Sequence, residues 1–272
     1  MGTDTWQILP PDAFAYDVRR VVDAAYHFFD QPPAQKEHAS DPTSRTGFRP
    51  FGIEYAQWPD RPDQMETFSI CGAHVGTGPR FPLRSAVSRD LYEIAVDAFV
   101  ALHRMASSFV RQAFQDRADV VVSREWVENN TITGSFLQIN SYTMSANELR
   151  PAQDWHEDAD LLTLGTADGA GLQVRLDDGG YVPVANVGGA HLAMVGGVLS
   201  ELLGGEPAPC YHRVVATEGV DRRISVQLFV SPSPDGTVRW PSVPGVAVDR
   251  VLARSNLSGL ASGLPPHEQM VQ

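Results

Sequence analysis

Phe136-Leu137-Gln138-Ile139-Asn140-Ser141-Tyr142 opens the stretch that decides the fold, because from residue 135 onward apolar and polar side chains repeat with a period of two. That period sends alternate residues to opposite faces of a strand. Leu161 to Leu164, Gly171 to Leu176, Tyr181 to Val184, His191 to Val195, Tyr211 to Val215 and Arg223 to Val230 read the same way, separated by Gly, Asp or Pro turns. Asp177-Asp178-Gly179-Gly180 has the chemistry of a hairpin turn. Short strands closed by such turns predict a mainly β domain over residues 135–232.

Upstream the period is helical. Asp12 to Asp30 carries Val18, Val21, Val22, Ala25 and Phe28 on one face and is stopped by Pro32-Pro33; Ser88 to Asp116 gives the longest helix, with Leu91, Ala95, Phe99, Leu102 and Phe109 as its apolar stripe. Between them, residues 37–63 hold several Pro and Gly and predict a long loop. Residues 1–134 thus read as a helical cover with an active-site loop, integral to the same domain. Residues 233–272 read as a carboxy-terminal extension rich in Pro, Gly and Ser, with one last helix over Val248 to Leu260 and a disordered end from Pro265 to Gln272.

A chain of 272 residues with net charge −12 and no basic run fits one domain and excludes a polyanion-binding surface, so neither nucleic acid nor an acidic membrane is an expected partner. A small molecule fits better; the oligomeric state is left open. Cys71 and Cys210 are too few for a disulfide framework, which makes a reducing cytoplasm the expected location, and Cys210 reads as a small buried apolar residue. No window has the roughly 18 uninterrupted apolar residues of a membrane span, and Met1-Gly2-Thr3-Asp4 lacks the pattern of a secretory signal.

Chemistry concentrates in three places. In His156-Glu157-Asp158, residues i and i+2 project to one side of an extended segment, so His156 and Asp158 can chelate one metal while Glu157 points away. His212, on a returning strand, can supply the third ligand. Two imidazoles and a carboxylate bind one face of an octahedral ferrous ion and leave positions for a co-substrate and dioxygen, which points to an oxygenase. Arg223 and Ser225 again differ by two, and a guanidinium beside a hydroxyl suits a carboxylate. His27, His38, His74, His103, His191 and His267 read as structural or surface histidines, and Asp160 as a solvated turn residue.

These segments, with Leu161-Leu162-Thr163-Leu164, Gly171-Leu172-Gln173-Val174, Tyr181-Val182-Pro183-Val184 and His212-Arg213-Val214-Val215 in order, resemble the isopenicillin N synthase-like branch of the iron(II)/2-oxoglutarate-dependent oxygenases. The resemblance covers roughly residues 135–232, with weaker echoes in Phe28-Phe29-Asp30 followed by Lys36, in Gly47 to Gly52 and in Asp63 to Ser69. It implies a distorted double-stranded β-helix, or jelly roll, with Fe(II) on His156, Asp158 and His212 and dioxygen as reactant. It further implies 2-oxoglutarate as co-substrate, held by Arg223 and Ser225 with Asn140 and Tyr142 as further contacts. Gln138, Gln227, Phe229 and Phe68 are the candidate substrate contacts.

Three departures from the family pattern stand beside the resemblance. The family's opening strand and its His-Gly-Ile turn are expected to be absent, leaving a shortened amino-terminal cover, and Met194-Val195-Gly196-Gly197 replaces an Asn-x-Gly-Asp stretch. The eleven positions from His212 to Arg223, about one more than usual, call for a small bulge or longer turn. The implied activity is oxidation of an unactivated C–H bond by hydroxylation, desaturation or cyclisation, with bacterial secondary metabolism suggested by composition. The alternatives are an iron oxidase that uses no 2-oxoglutarate and a non-catalytic jelly-roll binding protein.

Overall fold

The computed structural model describes residues 5–10, 17–41, 46–56, 60–79, 81–144, 150–185, 189–234 and 238–253. Its strands are β1 (Trp6–Leu9), β2 (Gly47–Arg49), β3 (Met65–Cys71), β4 (Phe136–Thr143), β5 (Gln153–His156), β6 (Leu162–Ala167), β7 (Leu172–Arg175), β8 (Tyr181–Pro183), β9 (His191–Val195), β10 (His212–Val214) and β11 (Arg222–Val230). The helices are α1 (Val18–Phe29), α2 (Pro33–Lys36), α3 (Ala86–Ala118), α4 (Arg124–Thr131), α5 (Gly197–Leu202) and α6 (Val248–Leu252).

Two antiparallel sheets form, a large one in the order β1-β9-β6-β11-β4-β3-β2 and a small one in the order β5-β10-β7-β8. One face of the large sheet is apolar. Leu137, Ile139, Ile224, Val226, Leu228 and Val230 join one core cluster with Val21, Ala25 and Phe28 of α1 and Leu91, Ala95, Phe99 and Leu102 of α3. Burial of the Val, Leu, Ile and Phe side chains among these stabilises each by roughly 1.5–3 kcal/mol. The period of two then leaves the polar residues of β4 and β11 on the opposite face, toward the small sheet.

The helices start where their caps dictate. Asp17 accepts from the Arg19 N–H and opens α1, Ser85 accepts from the Ser88 N–H and opens α3, and Ser123 accepts from the Trp126 N–H and opens α4. α1 therefore begins at Val18; the expected start from Asp12 lies outside the described residues. So do the end of the last helix beyond Ala253 and the tail from Pro265 to Gln272.

Some expectations need correction. Trp6–Leu9 forms the strand β1, paired antiparallel with β9 from Trp6↔Met194 to Leu9↔His191, so an opening strand is present; four residues were too short a window to show the period. The loop expected over residues 37–63 contains a helical turn, Glu37–Ala39, and the strand β2, whose Phe48 pairs with Phe68. Asp160 is fully buried and accepts from the Ser231 hydroxyl at 2.5 Å, where a solvated turn residue was expected. His103, by contrast, is the structural histidine that was one of its two readings, buried, stacked on Phe99 and bonded to the Thr131 hydroxyl at 2.9 Å. The extra length between His212 and Arg223 is absorbed by a tight turn, Thr217 to Val220, and by a register shift between His212 and Val214 against β5.

Candidate active site

β5 and β10 of the small sheet set His156 opposite His212, with ring centroids 4.2 Å apart. Asp158 follows two residues past the end of β5. His156 Nε2 lies 3.6 Å from Asp158 Oδ1 and His212 Nε2 lies 3.8 Å from Asp158 Oδ2. One ligand atom from each of the three falls within 4.8 Å of the others, close enough for one ion to touch all three.

The neighbours fix the chemistry of those atoms. His156 Nδ1 sits 2.8 Å from the Asp154 carbonyl and His212 Nδ1 3.0 Å from the Cys210 carbonyl. A carbonyl only accepts, so both Nδ1 atoms carry the hydrogen and both Nε2 lone pairs face the site. Burial, then the adjacent His212, hold the His156 imidazole below its usual range, in the neutral form that binds metal. Thr163 on β6 donates to Asp158 Oδ2 at 2.5 Å and leaves Oδ1 toward His156.

The inner face of the large sheet is arranged in cross-strand rows. Cys71, Phe136, Phe229, Thr163 and Met194 form the row under Asp158. Ser69, Gln138, Gln227, Gly165 and Leu192 form the next, then Thr67, Asn140, Ser225 and Ala167, and last Met65, Tyr142 and Arg223. Phe136 and Phe229 stack at 4.5 Å and 15°. Between them and the arginine runs an amide ladder: Gln138 Nε2 donates to Asn140 Oδ1 at 2.8 Å, and Asn140 Nδ2 faces Ser225 Oγ at 3.2 Å and Gln227 Oε1 at 3.1 Å.

Arg223 is 2% exposed. Its Nε donates to the Gly169 carbonyl at 3.2 Å and its guanidinium lies 5.2 Å from the Tyr142 ring centre, but Nη1 is buried with no partner among the described residues. A leftover donor on a buried cation is a place where an anion can be held. Burial moves the Arg223 pKa down and that of the Tyr142 phenol up to about 12, so Tyr142 remains a neutral donor at neutral pH. A narrow cleft reaches Arg223 and Gln227 past Gly165, Gly169, Leu172 and Leu192.

The structure thus brings His156, Asp158 and His212 together, and sets Arg223, Ser225, Asn140, Tyr142, Gln138, Gln227 and Phe229 on one inner face. It does not bring Phe68 there. Phe68 pairs with Ile139 on the helix side and packs edge-on against Phe28 at 5.0 Å and Phe81 at 5.9 Å, since its odd offset from Thr67 and Ser69 flips it to the other face. Thr163, Gln153 and Asp63 are site neighbours that the sequence reading missed. For Thr163 a signal existed, a polar residue at an inward position of an otherwise apolar strand.

Two imidazoles and a carboxylate thus stand at one end of a jelly-roll chamber, and a buried guanidinium with its Nη1 left over stands at the other, a donor set that suits an iron ion and an anion. Residues 134–232 match the model of the 2OG-Fe(II) oxygenase superfamily. Scopoletin 8-hydroxylase of Arabidopsis thaliana is 26% identical over 218 residues, 79% of this chain and 59% of that protein. A 2-oxoglutarate-Fe(II) type oxidoreductase of Aspergillus fumigatus is 27% identical over 235 residues, 80% of this chain and 69% of that protein. The chain therefore spans about three fifths of the first of these relatives. The dioxygenase for auxin oxidation in rice shares the fold with a TM-score of 0.66 at 20% identity, covering 89% of this chain and 77% of that one. The superfamily's iron and 2-oxoglutarate fit the residues present, the metal by the donor set and the dicarboxylate by the unmatched Arg223 Nη1. Among the described residues no helix is long and apolar enough to cross a membrane.

Proposed function

We propose that the protein is a non-haem iron(II)- and 2-oxoglutarate-dependent oxygenase that oxidises an unactivated C–H bond of a small molecule. The observation that carries this reading is the pairing, inside one chamber, of the His156–Asp158–His212 triad with a buried guanidinium whose Nη1 has no partner among the described residues. When bound, iron and 2-oxoglutarate supply the activation of dioxygen, and 2-oxoglutarate leaves as succinate and carbon dioxide. The chain's own part is positional. Arg223 and Ser225 hold the far carboxylate, Tyr142 donates to it, and Asn140 keeps Ser225 in place. Thr163 orients Asp158, and the apolar walls keep water out.

Phe229, one cross-strand step from Thr163, and Phe136, the next step on, offer a stacked aromatic wall toward Asp158, with the Gln138 amide at its edge. A planar, largely apolar substrate suits that wall. Two of the relatives, named as a hydroxylase of scopoletin and an ortho-hydroxylase of feruloyl-CoA, agree with an aromatic substrate and with hydroxylation as the outcome. Tailoring of a bacterial secondary metabolite is carried as the setting of this proposal.

The test is anaerobic addition of iron(II) and 2-oxoglutarate, followed by admission of oxygen with a panel of phenolic substrates while succinate is counted. A visible charge-transfer band and succinate release matching product are expected. No band and no succinate under any condition would overturn the reading, and product without succinate would move it to the oxidase that uses no 2-oxoglutarate.

A further inference from the structure

Asp63, Gln153 and Tyr142 form a buried chain at the arginine end of the chamber. Asp63 lies just before β3 and is 4% exposed, Gln153 opens β5, and Tyr142 pairs across strands with Arg223. Gln153 Nε2 donates to Asp63 Oδ2 at 3.2 Å, and the Tyr142 hydroxyl donates to Gln153 Oε1 at 3.1 Å. Asp63 Oδ1 accepts from the Ala56 N–H at 3.3 Å. An ionised carboxylate only accepts, so it forces the amide to turn its NH2 toward Asp63 and its oxygen toward Tyr142. The phenol proton is then committed to Gln153 and withheld from any anion on Arg223.

The charged surroundings of Asp63 are mostly of its own sign. Glu54, paired with Arg49 at 2.9 Å, faces it from the segment after β2, and the Glu54 carbonyl accepts from the Asp63 N–H at 2.8 Å. Asp154 faces it from β5. Arg150, whose Nη1 donates to the Pro62 carbonyl at 3.3 Å, and Arg223 behind Tyr142 are the cations on that side. Burial first, then the Glu54 charge, push the Asp63 carboxyl up to about 7, against the hydrogen bonds from Ala56 and Gln153.

Resting on the reading above that Arg223 holds 2-oxoglutarate, we propose that Asp63 and Gln153 are positioning residues that couple binding of this dicarboxylate to the uptake of one proton. The proton goes to Asp63, which now donates to Gln153 Oε1. The amide turns over, its Nε2 donates to the Tyr142 oxygen, and the phenol O–H is released to the carboxylate on Arg223. No bond other than hydrogen bonds is exchanged, and the charge balance is one proton gained on Asp63. Reciprocity then requires that deprotonating Asp63 weakens 2-oxoglutarate.

The experiment is calorimetric titration of the manganese(II)-loaded protein with 2-oxoglutarate near pH 6, 7 and 8, in buffers of different ionisation heat. The bound metal keeps His156 and His212 from titrating. Affinity is expected to fall by about tenfold from pH 6 to pH 8, with up to about one proton taken up per ligand at the alkaline end. Asp63→Asn, whose amide donates as the protonated carboxyl does, is expected to bind with the pH 6 affinity at every pH. Gln153→Leu is expected to lose the pH slope and bind weakly throughout. No proton uptake by the unmutated protein overturns the inference without any variant being needed, and so does a slope retained in Asp63→Asn. No binding of 2-oxoglutarate at any pH would instead overturn the proposed function on which the inference rests.

Discussion

Asp158 serves several partners at once, because Oδ1 faces His156 while Oδ2 faces His212 and also accepts from Thr163 at 2.5 Å. Thr163→Val keeps the shape of the side chain and removes that bond, leaving the carboxylate free to rotate. Metal affinity is expected to weaken by about tenfold, the scale seen when outer partners of metal ligands are lost; titration with manganese(II) measures it, and an unchanged affinity would show that the strand alone orients Asp158. Arg223→Lys acts at the other end. A lysine ammonium cannot keep the bond to the Gly169 carbonyl and present a second donor in the same plane. The 2-oxoglutarate requirement is expected to rise by about tenfold or more, as for loss of a charged hydrogen bond, with metal affinity unchanged. At this scale the sequence was informative: residue types spaced by two on strands announce both clusters. Phe68 escaped it, since nothing in one strand read alone says which of its two faces turns inward; the pairing with β4 decides that.

Among the elements, α5 supports the metal site most directly. The Gly197 N–H donates to the Asp158 carbonyl at 2.8 Å, Val198 to the Asp160 carbonyl at 3.0 Å and Gly196 to the Leu161 carbonyl at 3.1 Å, so the start of this helix clamps the segment that carries a ligand. A Cβ on Gly196 would lie 2.1 Å from the Asp160 carbonyl oxygen, which leaves no room for a side chain. Gly196→Ala is therefore expected to displace the 158–161 segment, lowering stability by about 1–3 kcal/mol as overpacking does and weakening metal binding in parallel. Denaturant unfolding and a metal titration on the same preparation check both, and normal metal binding in the variant would separate the clamp from the site. The residues Met194-Val195-Gly196-Gly197 looked only like a departure from a pattern, because a close backbone approach is a property of two segments and is invisible in one. β1 and α4 were missed for a related reason: four and eight residues hold too few turns of either period to stand out.

Over the whole molecule, buried titratable groups outside the metal site set how stability follows pH. Burial lowers His103 to about 4, and the same effect lowers His191 to about 4. Each folded pKa lies below the unfolded value of about 6.5, so the unfolded chain binds more protons across that interval. Stability from keeping these rings neutral is then full above about pH 6.5 and is lost as pH falls toward 4, by at most about 3 kcal/mol for each ring. Asp63 works against them. Its folded pKa is raised to about 7, so the cost of holding it grows as pH rises from the unfolded value near 4 toward 7. Two rings outweigh one carboxyl, and denaturant unfolding is expected to show stability rising from pH 4.5 to 6.5. In His103→Gln, where the amide can still donate to the Thr131 hydroxyl that itself donates to the Val127 carbonyl, that rise should be shallower by about one proton's worth of slope, about 1.4 kcal/mol per pH unit at its steepest. In Asp63→Asn the rise should be steeper and extend to about pH 7. Curves for the two variants that run parallel to that of the unmutated protein would mean that these groups titrate alike folded and unfolded, and that the acid limit is set by the surface carboxylates of a chain with net charge −12.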